Sequence, residues 1–367
     1  IDFEIEVPRR DNAVRHTRIP LFSVWPMLLD GIVSSFPLWR SHEKFSGAIS
    51  LPFRARRINF YAAGFSEGAR LRGYFRLKSV TPRSHAAEIQ ISDGNGNLLI
   101  HLRGWEELCE RVPQEYHNYI LHPSEHYLTQ ELPLEMLGNP ATPVASAAAS
   151  EVPLKIFENN QELWLKTLAH VLLSPEEREE WMEMQGSASR RAEWLFGRAA
   201  AKESVRRFLL KYHQSRWTAA DIPVWADDSG KPHALGVWRE HTKAKIDISI
   251  AHTEKLVAAA AVANARIGID IEAVNRDLTE DFTKGVFTHD ELELAASTGV
   301  APTAMLRFWC AKEAISKALG TGIRYSPRDL LITSIDMLSG QIQIELRGQW
   351  LDAFKHLKGR KNLIASS

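Results

Sequence analysis

The stretch Ala311-Lys-Glu-Ala-Ile-Ser-Lys-Ala-Leu319 decides the fold, because an earlier stretch, Ala201-Lys-Glu-Ser-Val-Arg-Arg-Phe-Leu209, lines up with it from the shared Ala-Lys-Glu to the final leucine. A helix-capping sequence precedes each copy: Ser174-Pro-Glu-Glu177 the first and Thr288-His-Asp-Glu291 the second. The offsets between the copies are 110 and 114 residues. Repeats that keep both order and spacing predict a duplicated α/β half-domain. The alternative is that two helices of similar composition simply resemble each other.

A segment of small residues separates this helix-rich region from the part of the chain before it. Residues 138–150 carry no charge and no large apolar anchor, and two prolines lie among them. Such a segment has little to bury, so it predicts a linker. We therefore expect a first domain over residues 1–137 and a second domain over residues 151–367, with half-domains at about 151–262 and 263–355.

The pattern before the linker is mostly that of β-strands. Leu71, Phe75 and Leu77 fall on one face of an alternating run whose other face carries arginines. Asp93-Gly-Asn-Gly-Asn97 predicts a hairpin turn between two further strands. Helical spacing of apolar residues predicts a helix from residue 26 to 36. A helix against an antiparallel sheet is an α+β layer, and α+β is the predicted fold class of the chain.

Composition excludes several classes of protein. The 367 residues include 45 Lys+Arg and 45 Asp+Glu, which argues against nucleic-acid binding by bulk charge. Apolar content of 44% argues against disorder, and no apolar run is long enough for a membrane span. Two cysteines cannot staple a chain of this length, so we expect a cytoplasmic setting. The chain begins at Ile1 without signal-peptide features, which indicates a piece of a longer polypeptide.

Carboxylates stand out in the second domain. The run from Ala265 to Ala273 predicts a buried strand with Asp270 and Glu272 on the same face. Two buried carboxylates need a cation between them, unless the strand end reaches solvent. Glu313 and Lys317 then lie one turn apart on a predicted helix, where the alternative is an ordinary surface pair. Three carboxylates and a lysine suit a magnesium–pyrophosphate site.

Two motifs carry a family resemblance. Ile267-Gly-Ile-Asp-Ile-Glu272, followed by Phe308-Trp-Cys-Ala-Lys-Glu-Ala-Ile-Ser-Lys317, closely resembles the signature motifs of 4′-phosphopantetheinyl transferases. Three further motifs follow the family's order over about residues 155–345: Trp194-Leu-Phe-Gly-Arg198, Gly230-Lys-Pro232 and Ile248-Ser-Ile-Ala-His-Thr253. The repeat resembles the larger, pseudo-twofold class, which acts on polyketide, fatty-acid and peptide carrier proteins.

The resemblance implies an activity and its residues. The 4′-phosphopantetheine arm of CoA would pass to a serine of an acyl carrier protein, in cis or in trans, with release of 3′,5′-ADP. Asp270, Glu272 and Glu313 would bind Mg²⁺ or Mn²⁺, and Asp270 and Glu313 would also be catalytic. Lys317 would contact the CoA pyrophosphate, and Glu313 would be the base for the serine. No nucleic-acid or membrane partner is implied.

The resemblance also assigns CoA binding to a second group of residues: Lys231, Pro232, His252, Arg198 and Arg191. Lys231 and His252 would contact the nucleotide and its 3′-phosphate. The family usually has serine before that histidine, whereas Ala251 stands here, which places one phosphate contact in doubt. Lys202 and Glu203, the first-copy counterparts of Lys312 and Glu313, have no second acidic motif nearby and are expected to be structural remnants.

The first domain resembles the second hotdog of polyketide-synthase dehydratases over residues 20–31, 51–61 and 91–104. Asp30 matches the helix aspartate of that family, but Ser34 departs from it and the partner histidine motif is absent from the sequence. The domain order resembles the C-terminal end of an enediyne or polyunsaturated-fatty-acid synthase. Two alternatives stay open: a non-catalytic docking module for carrier proteins, and a dehydratase or thioesterase in which His16 or His42 faces Asp30.

Overall fold

The computed structural model describes residues 2–7, 28–35, 48–62, 65–81, 83–111, 113–133, 145–152, 163–253, 255–355 and 363–366. The chain divides into two compact units, Ile1–His117 and Asn118–Ser367. The unit boundary therefore lies earlier than the predicted boundary at residue 137. Helices and antiparallel sheets are mixed, as an α+β chain requires.

Unit 1 contains a five-stranded antiparallel sheet and a helix, α1, over residues 28–35. The strands are β1 Asp2–Glu6, β2 Ala48–Phe60, β3 Arg70–Val80, β4 Ser84–Ser92 and β5 Leu98–Arg111. Their order in the sheet is β1-β3-β4-β5-β2. Leu28 and Ile32 of α1 enter the same core as Phe75 and Leu102. The predicted helix and the hairpin between β4 and β5 are confirmed.

Unit 2 contains helices and three smaller antiparallel sheets, after α2, Gln114–Leu121, which crosses the unit boundary. The helices are α3 Leu163–Leu172, α4 Pro175–Glu183, α5 Ala188–His213, α6 Glu280–Val286, α7 His289–Ser297, α8 Ala301–Leu319 and α9 Gly348–Ala353. The strands are β6 Gln130–Glu131, β7 Ala145–Glu151, β8 Val224–Ala226, β9 Pro232–Ala234, β10 Ile246–His252, β11 Leu256–Ala263, β12 Leu330–Ile335, β13 Gln341–Leu346 and β14 Leu363–Ser366. The sheet orders are β10-β11-β7-β6, β12-β13-β14 and β8-β9.

The second half of the predicted linker is a buried strand, so that prediction is wrong for residues 145–150. These residues belong to β7, which pairs with β11 along its whole length and with β6 at its centre. Ala147 and Ala148 are buried, and β7 packs against α5. The physical reason is close packing, because alanine and serine let a helix approach a sheet that larger side chains would hold away. Residues 138–144 lie outside the described part of the chain.

A buried lysine occupies corresponding places in the two sequence copies. Lys202 and Lys312 are both fully buried. Each ammonium donates to the capping-box glutamate upstream and to two backbone carbonyls: Glu177, Leu172 and Ala219 for Lys202, and Glu291, Val286 and Pro327 for Lys312. Each glutamate also accepts two backbone N–H groups, one from its helix-capping residue and one from a later strand. The donors are Ser174 and Val224 for Glu177, and Thr288 and Ile332 for Glu291. The two copies therefore share one pattern of buried contacts.

Glu203, the first-copy counterpart of Glu313, anchors the start of unit 2. Its buried carboxylate accepts the N–H groups of Leu128 and Thr129 and the Thr129 hydroxyl, the last at 2.6 Å. Burial raises the pKa of this carboxyl, while Arg206 and these hydrogen bonds oppose the rise. Arg206 and Arg207 donate to backbone carbonyls of the same segment, including that of Thr129. Glu203 is structural, as expected, and it has a definite partner.

This anchoring predicts where the chain can be shortened. A chain that begins at Glu151 loses most of β7 and all of β6, and it also loses the Leu128 and Thr129 groups that donate to the Glu203 carboxylate. Hydrogen bonds to a charged group contribute about 1.5–3 kcal/mol each, and the loss of β7 removes the main partner of β11 on that side of the sheet. We expect that chain to lack a cooperative thermal transition, whereas a chain that begins at Asn118 melts like unit 2 of the whole protein. Equal melting temperatures for the two shortened chains would contradict the structural role of residues 118–150 in unit 2.

Candidate active site

The segment that carries Asp270 is held by side chains. Residues 265–273 form no regular strand, so the predicted strand is wrong, and the segment is largely half-buried. Asp247 Oδ2 accepts the N–H of Ile267 at 2.9 Å, and Ser249 Oγ accepts the N–H of Ile269 at 3.1 Å. Both acceptors lie on β10. Alternate polar residues of this strand thus replace the backbone ladder that a paired strand would have made.

Gly268 lets this segment lie directly on α8. A Cβ atom at that position would come within 1.8 Å of the Ala314 carbonyl oxygen and 2.6 Å of the Ala318 nitrogen. Both neighbours are backbone atoms that cannot turn aside, so only glycine fits. The close approach brings the two sequence motifs together, because Ala314 and Ala318 belong to the helix that carries Glu313 and Lys317.

Lys317 and Asp270 form the centre of the site. Lys317 Nζ lies 2.7 Å from Asp270 Oδ1 and donates at 3.2 Å to the carbonyl of Ile269. Asp270 Oδ2 is buried, and no group in the described part of the chain donates a hydrogen bond to it. Burial, together with the nearby Asp270 charge, raises the pKa of the Cys310 thiol to about 12. The carboxylate therefore lies in a poorly hydrated place with one oxygen available to a further cation.

Glu313 lies half-buried within reach of the same charges. Burial raises the pKa of its carboxyl, the negative Asp270 raises it further, and Lys317 opposes both. A carboxyl group with a raised pKa is a stronger base than an exposed one. The alternative of an ordinary surface pair between Glu313 and Lys317 does not describe the main contact, because the lysine forms an ion pair with Asp270.

Glu272 interacts with one residue of α8 and with one residue of the loop that follows Glu272. Trp309 Nε1 donates to its Oε1 at 3.0 Å, and Arg276 forms an ion pair with the same oxygen. The Arg276 guanidinium also lies over the rings of Phe282 and Trp309. Neither Arg276 nor Trp309 had been singled out in the sequence as a partner of Glu272, since no local pattern indicates a contact across a loop.

The residues present suit a divalent cation by their chemistry. Asp270 and Glu313 offer hard carboxylate oxygens, and the unpartnered Asp270 oxygen is the feature that a Mg²⁺ ligand would satisfy. Within the residues that the structure describes, no three His, Cys, Asp or Glu side chains are grouped so that they could hold a metal ion. The Oε1 atom of Glu272 is already paired with Arg276 and Trp309.

Lys231 is tied to the acidic segment through Asp247. Its Nζ lies 2.9 Å from the Asp247 oxygen that also accepts the Ile267 N–H. A tight turn fixes its backbone, with Gly230 in the left-handed region at φ 81°. The lysine stem passes the end of α8, where a Cβ on Gly320 would lie 3.3 Å from Lys231 Cδ. Asp247 is a residue that the sequence analysis missed, although its alternation with isoleucines gave a signal.

The other residues expected to bind CoA lie on different elements. His252 ends β10 with its side chain exposed, and Pro232 begins β9. On α5, Arg198 is buried against the ring of Trp194, and Arg191 lies over that of Trp181. Burial lowers the pKa of Arg198, and its Nε is buried without a hydrogen-bond partner among the residues that the structure describes. The structure thus groups Asp270, Glu313, Lys317 and Glu272 around α8, with Lys231 joined through Asp247.

The candidate site in unit 1 is incomplete. Asp30 is exposed on α1, and none of the histidines that the structure describes hydrogen-bonds to it. His85 instead lies against a buried cysteine, with Nδ1 at 2.7 Å from Cys109 Sγ. His16 and His42 lie outside the described residues. A histidine–aspartate pair for dehydration is therefore not seen in the described part of unit 1.

Comparison with known proteins bears on both units. The model of the 4′-phosphopantetheinyl transferase superfamily matches residues 266–365, and that of the polyketide synthase dehydratase N-terminal domain matches residues 3–123. The holo-[acyl-carrier-protein] synthase of Clostridium tetani is 34% identical over 103 residues, which are 26% of this chain and 79% of that protein. The chain belongs to the 4′-phosphopantetheinyl transferase superfamily. The matched transferase segment includes Asp270, Glu272, Glu313 and Lys317.

Two further comparisons describe the extent of the likeness. The holo-[acyl-carrier-protein] synthase of Caldicellulosiruptor bescii is 39% identical over 70 residues, which are 18% of this chain, and the chain spans 58% of that relative. A solved holo-(acyl-carrier-protein) synthase from Bacillus anthracis, in complex with CoA (3′,5′-ADP), shares 26% identity; the match covers 34% of this chain and 97% of that one, with a TM-score of 0.26. The assignment of unit 1 to the second hotdog stays a prediction from its motifs.

No helix among the described residues of this transferase-family chain combines the length and the apolar character that crossing a membrane requires.

Proposed function

We propose that this chain transfers the 4′-phosphopantetheine arm of CoA to a serine of an acyl carrier protein and releases 3′,5′-ADP. The observation that carries the proposal is the cluster of Asp270, Glu313 and Lys317, which lies inside the segment matched by the superfamily model. The dehydratase-like unit 1 supports a setting within a polyketide or fatty-acid type synthase, with the carrier protein in cis or in trans.

Each residue of the cluster has a part in this reaction. The serine oxygen bonds to the β-phosphorus of CoA, while the bond from that phosphorus to the oxygen of 3′,5′-ADP breaks. Glu313 takes the hydroxyl proton, directly or through a water molecule, and its raised pKa suits a base. Lys317 neutralises charge on the pyrophosphate oxygens. Its ammonium is oriented for this by the ion pair with Asp270.

Asp270, Glu313 and Glu272 would hold Mg²⁺, or Mn²⁺, which suits the same oxygen ligands. When bound, the metal supplies charge stabilisation for the pyrophosphate as the transferring bond breaks. Lys231, Pro232 and His252, with Arg198 and Arg191, would bind the CoA nucleotide. The equivalent buried contacts of Lys202 and Lys312 support two related half-domains, each built around one such lysine.

The test is a change in the mass of a carrier protein. Apo carrier protein is incubated with the whole chain, CoA and Mg²⁺, and intact mass spectrometry is expected to show the addition of one phosphopantetheine group. Addition of a chelator, or the variant Glu313→Gln, should remove the shift. A docking module without catalysis would bind the carrier protein and leave its mass unchanged. That result with the unmodified chain would overturn the proposed function.

A further inference from the structure

We infer that Asp247 is a positioning residue that couples the nucleotide end of the site to its metal end. The inference deepens the proposed function and rests on it. Asp247 lies on β10, outside the motifs that carry the family resemblance, and its carboxylate has two dissimilar partners. One is the ammonium of Lys231 and the other is the backbone N–H of Ile267, each 2.9 Å from the same Oδ2 atom.

Lys231, the partner on the nucleotide side, is positioned by its turn, by Asp227 and by the end of α8. The turn from Asp227 to Lys231 closes with two backbone hydrogen bonds, and Asp227 Oδ1 accepts the Lys231 N–H. Beyond the turn, the Lys231 side chain passes the C-terminal end of α8 beside Gly320. A cation there also suits the negative end of the helix dipole. One Lys231 donor is used by Asp247, which fixes the direction of the other two.

The partner on the metal side is the segment that ends in Asp270. This segment has no strand ladder, so its register against α8 depends on two side-chain acceptors, Asp247 and Ser249. Gly268 lies against the helix backbone without spare room, and a small shift of the segment would therefore move Asp270 relative to Glu313. Ser249 holds the same segment two residues further on, and the hydrogen bonds of the Lys231 side chain and N–H go to Asp247 and Asp227 instead.

These contacts define three variants of the whole chain with different expected patterns. Lys231→Ala removes the nucleotide contact and the ion pair with Asp247 but keeps the hydrogen bond from Ile267 to Asp247, so CoA affinity should fall about 10-fold while Mn²⁺ affinity is kept. Ser249→Ala loosens only the acidic segment, so Mn²⁺ affinity should fall several-fold while CoA binding without metal is kept. Asp247→Ala is expected to lower both affinities. Calorimetric titration with CoA and, separately, with Mn²⁺ measures each affinity without any turnover.

The conservative variant gives a second reading that does not depend on the alanine variant folding. Asp247→Asn keeps an oxygen acceptor for both partners but loses the charge, so CoA affinity should fall only a few-fold. In the double variant with Lys231→Ala, the two losses in CoA affinity should not add, because both act through one contact. Additive losses would overturn the coupling, and so would an Asp247→Ala protein that matches either single-end variant.

The outcomes separate this inference from the function beneath it. A wild-type chain that modifies the carrier protein, together with an Asp247→Ala protein affected at one end only, refutes the coupling and leaves the transfer intact. A wild-type chain that binds neither CoA nor Mn²⁺ refutes the proposed function, and the coupling falls with it. Thermal melting of each variant separates a positioning role from a loss of fold, since a purely structural role would lower the melting temperature without the two-ended pattern.

Discussion

Replacing Asp270 with alanine is expected to abolish transfer to the carrier protein and to leave unit 2 folded. The residue holds Lys317 and presents a buried oxygen to which none of the described residues donates, so its loss would remove both charge neutralisation and a proposed metal ligand. Losses of a preorganised electrostatic group are on the order of 10²–10³-fold in rate, and the loss of a metal ligand adds to them. Carrier-protein mass measured over time gives the rate.

The fold should survive because the pair that is broken lies partly in solvent. Lys317 keeps 28% of its side chain exposed and can be hydrated once its partner is gone, so the change in the free energy of unfolding should stay near about 1 kcal/mol. Asp277→Ala is the matched control, since this carboxylate lies exposed on the following loop. Transfer within a few-fold of wild type in the Asp270 variant would show that the metal-binding proposal is wrong.

Replacing Lys312 with methionine should strongly destabilise unit 2. The change leaves Glu291 fully buried without its cation, and a buried ion pair broken on one side costs about 3–5 kcal/mol. The Val286 and Pro327 carbonyls lose their donor as well. Urea denaturation followed by tryptophan fluorescence should show a lower midpoint, and transfer should be lost with the orientation of α8.

The repeated contacts of the first copy supply a matched comparison. Lys202→Met should lower the free energy of unfolding by a similar amount, because it leaves the buried Glu177 without its cation, as Lys312→Met does for Glu291. Burial lowers the pKa of Lys202 to about 8, despite the opposing effect of Glu177, which reflects how little water reaches the pair. Lys284→Met is the control, since that lysine forms only an exposed pair with Glu280. Equal midpoints for Lys312→Met and Lys284→Met would contradict the buried pair.

Features that depend on a few neighbouring residues were predictable from the sequence. Both capping boxes are present, at Ser174 with Glu177 and at Thr288 with Glu291, because each is closed within one helical turn. The hairpin turn of residues 93–97 is equally local: Asp93 accepts N–H groups from residues 95 and 97. The pairing of the Asp270 segment with α8 was predicted by resemblance, and the structure brings Asp270 and Lys317 together.

Features that depend on distant partners were not predictable. Strand β7 consists of alanine and serine with one glutamate, so its own hydrophobicity gives no sign of burial, which comes from β11 and α5. The alternation in residues 265–273 predicted a strand, which the structure does not show. The alternation could not show that Asp247 and Ser249 side chains, and no backbone ladder, hold that segment. The ion pair between Arg276 and Glu272 was not predicted either, because the sequence does not show how the loop folds back.

The position of β7 has a consequence for the order in which the protein is made. On the ribosome this strand emerges next to β6, which offers it only two paired residues, while its main partner, β11, follows only after α3, α4 and α5. An exposed strand rich in valine and isoleucine would invite pairing with other nascent chains during that wait. The alanines and serines of β7 are poor at such pairing, so the residues that allow α5 to pack closely also protect the growing chain from aggregation.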